Sequence, residues 1–137
     1  MQLYKKGIVI MYDFPSIDEI HEMLDEIAEE IPEYFFEQLH GGIVLLPEYK
    51  IHPESRDIDT LYILGEYCRN IVGRHIVIYY GSFEKVHAGL SIRTLRRKLK
   101  DTLLHEFTHH LESLAGERGL EIKDYHDIQE YKKKNSD

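Results

Sequence analysis

The sequence predicts an α+β domain, and three observations carry that prediction. A capped amphipathic helix lies near the N-terminus, a longer helix occupies the C-terminal half, and short apolar runs bounded by turn residues lie between them. The 137 residues suit one domain, 1–137, with a core large enough to fold without disulfide or metal staples. No repeat, low-complexity tract or linker interrupts it.

Residues 1–12 read as an extra strand or as a leader ahead of Met11. Lys5 and Lys6 precede Ile8-Val9-Ile10-Met11, an apolar run too short for a signal-peptide core and lacking a small-residue cleavage site. The first firm element follows. Ser16 with Glu19 three residues on forms a capping box, and Ile17, Ile20, Leu24, Ile27 and Ile31 recur at helical spacing up to Pro32, which predicts a helix over 17–31. Its many acidic residues form a solvated outer face.

Pro32 followed by Phe35, Phe36 and Leu39 predicts a short second helix stopped by Gly41-Gly42. Residues 43–46 are a short strand ended by Pro47, and 48–59 read as a surface loop. Residues 61–64 form another apolar run. The strongest strand signal is His75-Ile76-Val77-Ile78-Tyr79-Tyr80, within 73–83 and closed by Gly81. Together these runs predict a small sheet of three or four strands. Residues 83–90 read as a loop or one helical turn, Ser91 caps the long helix over 91–115, and 131–137, with Lys132 to Lys134, read as a frayed tail.

On that long helix stands His105-Glu106-Phe107-Thr108-His109, an HExxH pattern. Two histidines four apart project from one helix face, so both imidazoles can reach a single zinc ion, one per chain. The expected chemistry is metal-assisted hydrolysis. Zinc acidifies a water and polarises a carbonyl, while Glu106 as general base accepts the proton and later delivers it to a leaving amine. With nine histidines and sixteen glutamates, chance alone produces the pattern in roughly one such chain in fifteen, so its context must carry the inference.

The plainer reading makes both histidines ordinary core or surface residues. At 100° per residue, Leu104, Phe107, Leu111 and Leu114 form one apolar stripe, while His105, His109 and Glu112 cluster nearly opposite. That separates the histidines from the core. Their face is expected to carry Thr108, Ser113 and Gly116, small residues that leave room above a metal.

A catalytic zinc needs a third protein ligand. The metzincin pattern HExxHxxGxxH is absent, since Glu112 and Ala115 stand at its glycine and third histidine. Asp124 is the preferred candidate: Gly116 and Gly119 bracket a helix stop, after which 120–124 can run back beside the helix. Glu112 is the alternative, and Glu130 stands at a thermolysin-like separation. His110 lies about 100° from His109, which makes it a packing or supporting residue, and Tyr125 and His126 read as surface residues.

The order of Ser16 to Pro32, Gly41-Gly42-Ile43-Val44-Leu45-Leu46, Leu61-Tyr62-Ile63-Leu64-Gly65-Glu66-Tyr67, Ile76-Val77-Ile78-Tyr79-Tyr80-Gly81 and Thr102-Leu103-Leu104-His105-Glu106-Phe107-Thr108-His109-His110 resembles the small bacterial zincin-like metallopeptidase family. The likeness spans about 17–124. It implies a minimal zincin fold, with a small mixed sheet against the N-terminal helix and the HExxH helix. It also implies His105 and His109 as zinc ligands and Glu106 as general base. Family members commonly read HExxHxxGxxD; here Glu112 and Ala115 replace the glycine and aspartate, so the third ligand does not carry over. By analogy with larger zincins, 73–80 is the candidate edge strand for pairing with an extended peptide.

The functional expectation is a zinc-dependent metallopeptidase acting on a peptide or protein substrate of unidentified sequence. The alternative is a non-catalytic zinc-binding or interaction module that keeps the fold. A small metal-dependent ribonuclease of three-histidine type would need a histidine soon after His109, and only His110 and His126 follow. A net charge of −8 argues against general nucleic-acid or anionic-membrane binding, and the basic run from Arg93 to Lys100 reads as a solvated face. No apolar span reaches transmembrane length, and lone Cys68 supplies no disulfide framework, so the expected compartment is the cytoplasm.

Overall fold

The computed structural model describes residues 14–56, 59–118, 130, 131 and 133. Residues 1–12, read as a strand or leader, lie outside these, as do Asp124, Tyr125, His126 and the expected return segment 120–124. Helix α1 spans Ile17–Glu30 and opens with the expected capping box: Ser16 Oγ accepts from Glu19 N–H, and Glu19 Oε1 accepts from Ser16 N–H at 2.8 Å. Its apolar stripe, Ile20, Leu24 and Ile27, is buried. Pro32 then fixes the chain for a single 3₁₀ turn, Glu33–Phe36, rather than a second α-helix, and drives Phe35 fully into the core.

Strands β1 (Gly42–Leu46), β4 (Gly65–Asn70) and β5 (Gly73–Tyr79) form a mixed sheet in the order β1-β5-β4, with β1 parallel and β4 antiparallel to β5. Two further short strands, β2 (Lys50–Ile51) and β3 (Tyr62–Ile63), pair as a separate antiparallel ribbon, so the expected loop over 48–59 contains a strand. The chain is therefore α+β, with a small mixed sheet packed against helices.

The strand order corrects one expectation. The analogy with larger zincins puts 73–80 at the sheet edge, yet β5 is the central strand, and among the described residues the edges are β1 and β4. The physical reason is legible in its side chains: Ile76, Val77, Ile78 and Tyr79 are all buried, so both faces of β5 are covered, as suits an interior strand. A second correction concerns Gly81, which does not close the strand into a loop. It lies in the first turn of helix α2, Tyr80–His87, where a Cβ would meet the backbone of Glu48 and Tyr49 at 2.7 and 2.6 Å.

Helix α3 runs Ile92–Arg118, its start capped by Ser91 Oγ accepting from Thr94 N–H. It continues past the expected end at Ala115, through Gly116. Leu95, Leu99, Leu103, Leu104, Phe107, Leu111 and Leu114 bury its apolar side against α1, Phe35, Ile76 and Ile78. Tyr131 lies in the region read as a frayed tail, but it is docked: its hydroxyl donates to the Glu30 carbonyl at 2.8 Å and its ring packs edge-on to Phe35. Among the described residues no helix is long and apolar enough to cross a membrane.

Part of the basic run on α3 serves the fold. Arg96 Nη2 and Lys100 Nζ reach the Glu30 carboxylate at 2.9 and 3.1 Å, tying α3 to the end of α1. The Arg96 hydrogen bond, followed by that of Lys100, holds the Glu30 carboxyl below its ordinary value. The lowered folded-state value means the unfolded chain binds the proton more readily. This stabilisation is complete above about pH 4.5 and disappears as pH falls through the folded value. In urea titrations, Glu30→Gln is expected to cost about 0.2–1 kcal/mol at pH 7 and to narrow its gap to wild type in acid.

Candidate metal centre

The site lies on the face of α3 turned from the core. His105 and His109 are exposed, which excludes the core-histidine reading. Their rings meet edge to face with Nε2 atoms 3.2 Å apart. Two nitrogens each about 2.0–2.1 Å from one tetrahedral zinc lie about 3.3–3.4 Å apart, so the helical i, i+4 spacing brings both to chelating separation. Imidazole nitrogens are donors that suit zinc, as they suit copper, iron and nickel.

Glu112, the alternative third ligand, sits on the other side of His109. Its Oε1 is 3.5 Å from Nδ1, not from the Nε2 that faces His105. Among the described residues no group of three metal-ligating side chains converges, and Asp124 lies outside them.

Glu106 lies beside the histidine pair on the flank nearer the sheet, where it lines one pocket with His105, and is buried. The pairing of Tyr79 N–H with the Leu64 carbonyl sets the alternation along β4: Glu66 and Cys68 exchange backbone bonds with β5, while Gly65, Tyr67 and Arg69 turn theirs to the open edge. The outward N–H of Tyr67 lies near the Glu106 carboxylate. Burial, chiefly, pushes the Glu106 carboxyl above its ordinary value; charge on His109 lowers it, the Glu66 carboxylate raises it, and the Tyr67 N–H lowers it.

Tyr67 makes a second contact with α3. Its hydroxyl lies 2.9 Å from His110 Nδ1, and His110 Nε2 lies 2.7 Å from the Glu37 carbonyl. A carbonyl can only accept, so Nε2 carries the hydrogen and Nδ1 accepts from the tyrosine. His110 is fully buried, and burial pushes its pKa down, so the ring is neutral and acts as a strut between β4, α3 and the 3₁₀ turn. Gly65 lets β4 come this close, because a Cβ there would meet Thr102 Cγ2 at 3.0 Å. Tyr67→Phe strands the buried Nδ1 acceptor and is expected to cost about 1–3 kcal/mol by thermal or urea unfolding.

Two of the small residues expected beside the histidines are elsewhere. Thr108 is buried with its hydroxyl on the Leu104 carbonyl at 2.9 Å, and Ser113 lies under β4, where Arg69 Nη1 reaches it at 3.4 Å. Only Gly116 is exposed as expected. Each helical step of 100° carries Thr108 and Ser113 to opposite flanks of the histidine stripe.

Sequence reasoning misses Tyr67, Glu66 and Asp101. Asp101 is within its reach, since it extends the i, i+4 ladder through His105 to His109. Tyr67 is not, because its partner His110 lies 43 positions along the chain.

The class these features define is an α+β protein with, among the described residues, a three-stranded mixed sheet, a long helix bearing two histidines whose Nε2 atoms lie 3.2 Å apart, and a buried glutamate near the sheet. A conserved hypothetical protein from Thermo thermophilus shares 34% identity with this chain, superposes with a TM-score of 0.64, and is covered over 99% of its length by 74% of this chain. The chain belongs to the same family as that protein. No known family model matches it, and no curated protein does.

Proposed function

We propose that the protein is a zinc-dependent peptidase of minimal zincin type. The supporting observation is the His105–His109 pair, with Nε2 atoms 3.2 Å apart, next to the buried carboxylate of Glu106. His105 and His109 would hold the ion, with Asp124 the preferred third ligand. When bound, zinc supplies Lewis acidity toward a carbonyl and acidifies a water.

The chain's own groups do the rest. Burial suits Glu106 to take and return a proton at neutral pH more readily than an exposed carboxylate would. The nearby Tyr67 N–H favours the ionised carboxylate, and Glu112 steadies the His109 ring through Nδ1. The edge of β4, with backbone groups of Gly65 and Arg69 turned outward on either side of Tyr67, is suited to pair with an extended peptide beside Glu106.

Metal content and hydrolysis of an unstructured peptide mixture, measured together on wild type, Asp124→Ala and Glu112→Ala, test this reading. About one zinc per chain, lost in Asp124→Ala but kept in Glu112→Ala, with chelator-sensitive hydrolysis, is the expected result. No zinc uptake at neutral pH overturns the metal site. Stoichiometric zinc with no hydrolysis favours the non-catalytic zinc-binding module.

A further inference from the structure

One turn before His105, Asp101 lines a pocket of about 310 Å³ together with Tyr62, Leu64, Thr102, His105 and Glu106. This cavity opens beside the groups assigned to catalysis and is at the small end for a ligand site, a size suited to one side chain. Its walls carry an aromatic ring, a leucine and a threonine. Among the described residues they include no lysine or arginine. Asp101 Oδ1 is closed off from solvent and has no hydrogen-bond donor among the described residues. A buried carboxylate oxygen is ordinarily paired; this one is not, and the residue that carries it also lines the cavity.

We propose that this pocket is a side-chain subsite, with Asp101 as its specificity determinant, and that it selects a lysine or arginine of the peptide substrate. The assignment rests on the peptidase reading. The chemistry is complementary in both parts of such a side chain. Tyr62 and Leu64 offer apolar surface to the methylene stem, and the Asp101 carboxylate offers a charge-assisted hydrogen bond to the cationic head. A glutamate or aspartate in the same pocket would face Asp101 and Glu106 together and be repelled. A neutral side chain would leave Asp101 without a donor.

The test uses neutral fluorescent peptides along which a single lysine, arginine, norleucine or glutamate is walked. Hydrolysis is followed with the zinc-loaded wild type and with Asp101→Asn. Binding is followed by fluorescence anisotropy with zinc-loaded Glu106→Gln and with the Asp101→Asn, Glu106→Gln double variant. At one register, lysine and arginine peptides are expected to exceed norleucine by about tenfold or more in both readouts, and Asp101→Asn to reduce that ratio to about twofold or less. Zinc content should remain about one per chain.

Loss of zinc in Asp101→Asn would assign Asp101 to holding His105 and overturn the subsite. Hydrolysis with no basic preference, or with a preference unchanged by Asp101→Asn, also overturns it and leaves the peptidase reading intact. A basic preference in binding that Asp101→Asn abolishes, with no hydrolysis by wild type, overturns the peptidase reading and retains the subsite. Absence of binding and hydrolysis for every peptide overturns both.

Discussion

Glu106→Gln is expected to lower peptide hydrolysis by about 10²–10⁴-fold, the usual contribution of a positioned general base, while zinc content stays unchanged. Glutamine keeps the shape, but it cannot carry the proton. The same substitution should raise stability. Burial lifts the Glu106 carboxyl above its ordinary value, so the folded state binds that proton more readily than the unfolded chain. The group therefore destabilises the fold increasingly as pH rises from about 4.5 through the folded value, and at pH 7 that cost is present. Urea titrations of zinc-free wild type and Glu106→Gln at pH 7 should show the variant more stable. Hydrolysis equal to wild type would exclude Glu106 as the base.

Phe107→Ala, one residue along, is expected to have the opposite profile. The ring is fully buried, 5.9 Å from Phe35 and 4.9 Å from Phe36 between centroids, and it joins α3 to the 3₁₀ turn. Truncation removes apolar burial and leaves a cavity, a loss of about 3–5 kcal/mol. Against a total of about 5–15 kcal/mol for a domain, that is enough to unfold a substantial fraction on warming. Calorimetry checks it. A shift in the unfolding midpoint no larger than that of a surface substitution would show that the core tolerates collapse there. The pairing of these two outcomes separates the chemistry of the HExxH stretch from its packing, which two adjacent positions about 100° apart on the helix divide between them.

Much of this architecture is legible in the amino-acid sequence. The capping box of α1, its isoleucine stripe, the leucines of α3, and the placing of His105 and His109 away from those leucines all follow from local rules, because a helix makes its own hydrogen bonds and its faces repeat every 3.6 residues. The strand β4 is less visible. Its Glu66 and Arg69 interrupt any apolar run, and what makes Gly65–Asn70 a strand is the β5 ladder alongside it. The 73–80 run declares itself a strand but not its place in the sheet, since strand order depends on which partners arrive on each side. Gly81 looks like a stop, although glycine there serves the close approach of the Glu48–Tyr49 backbone.

The candidate site divides the same way. Spacing in the chain determined the histidine pair: residues four apart on a helix share a face, whatever the rest of the protein does. Only tertiary structure decided that the Tyr67 N–H would meet Glu106, that His110 would be locked neutral between Tyr67 and Glu37, and that Asp101 would line a pocket with Tyr62 and Leu64. Those contacts join segments tens of residues apart. They exist because a buried polar group must find a partner, and the sequence does not say which distant strand will bring it.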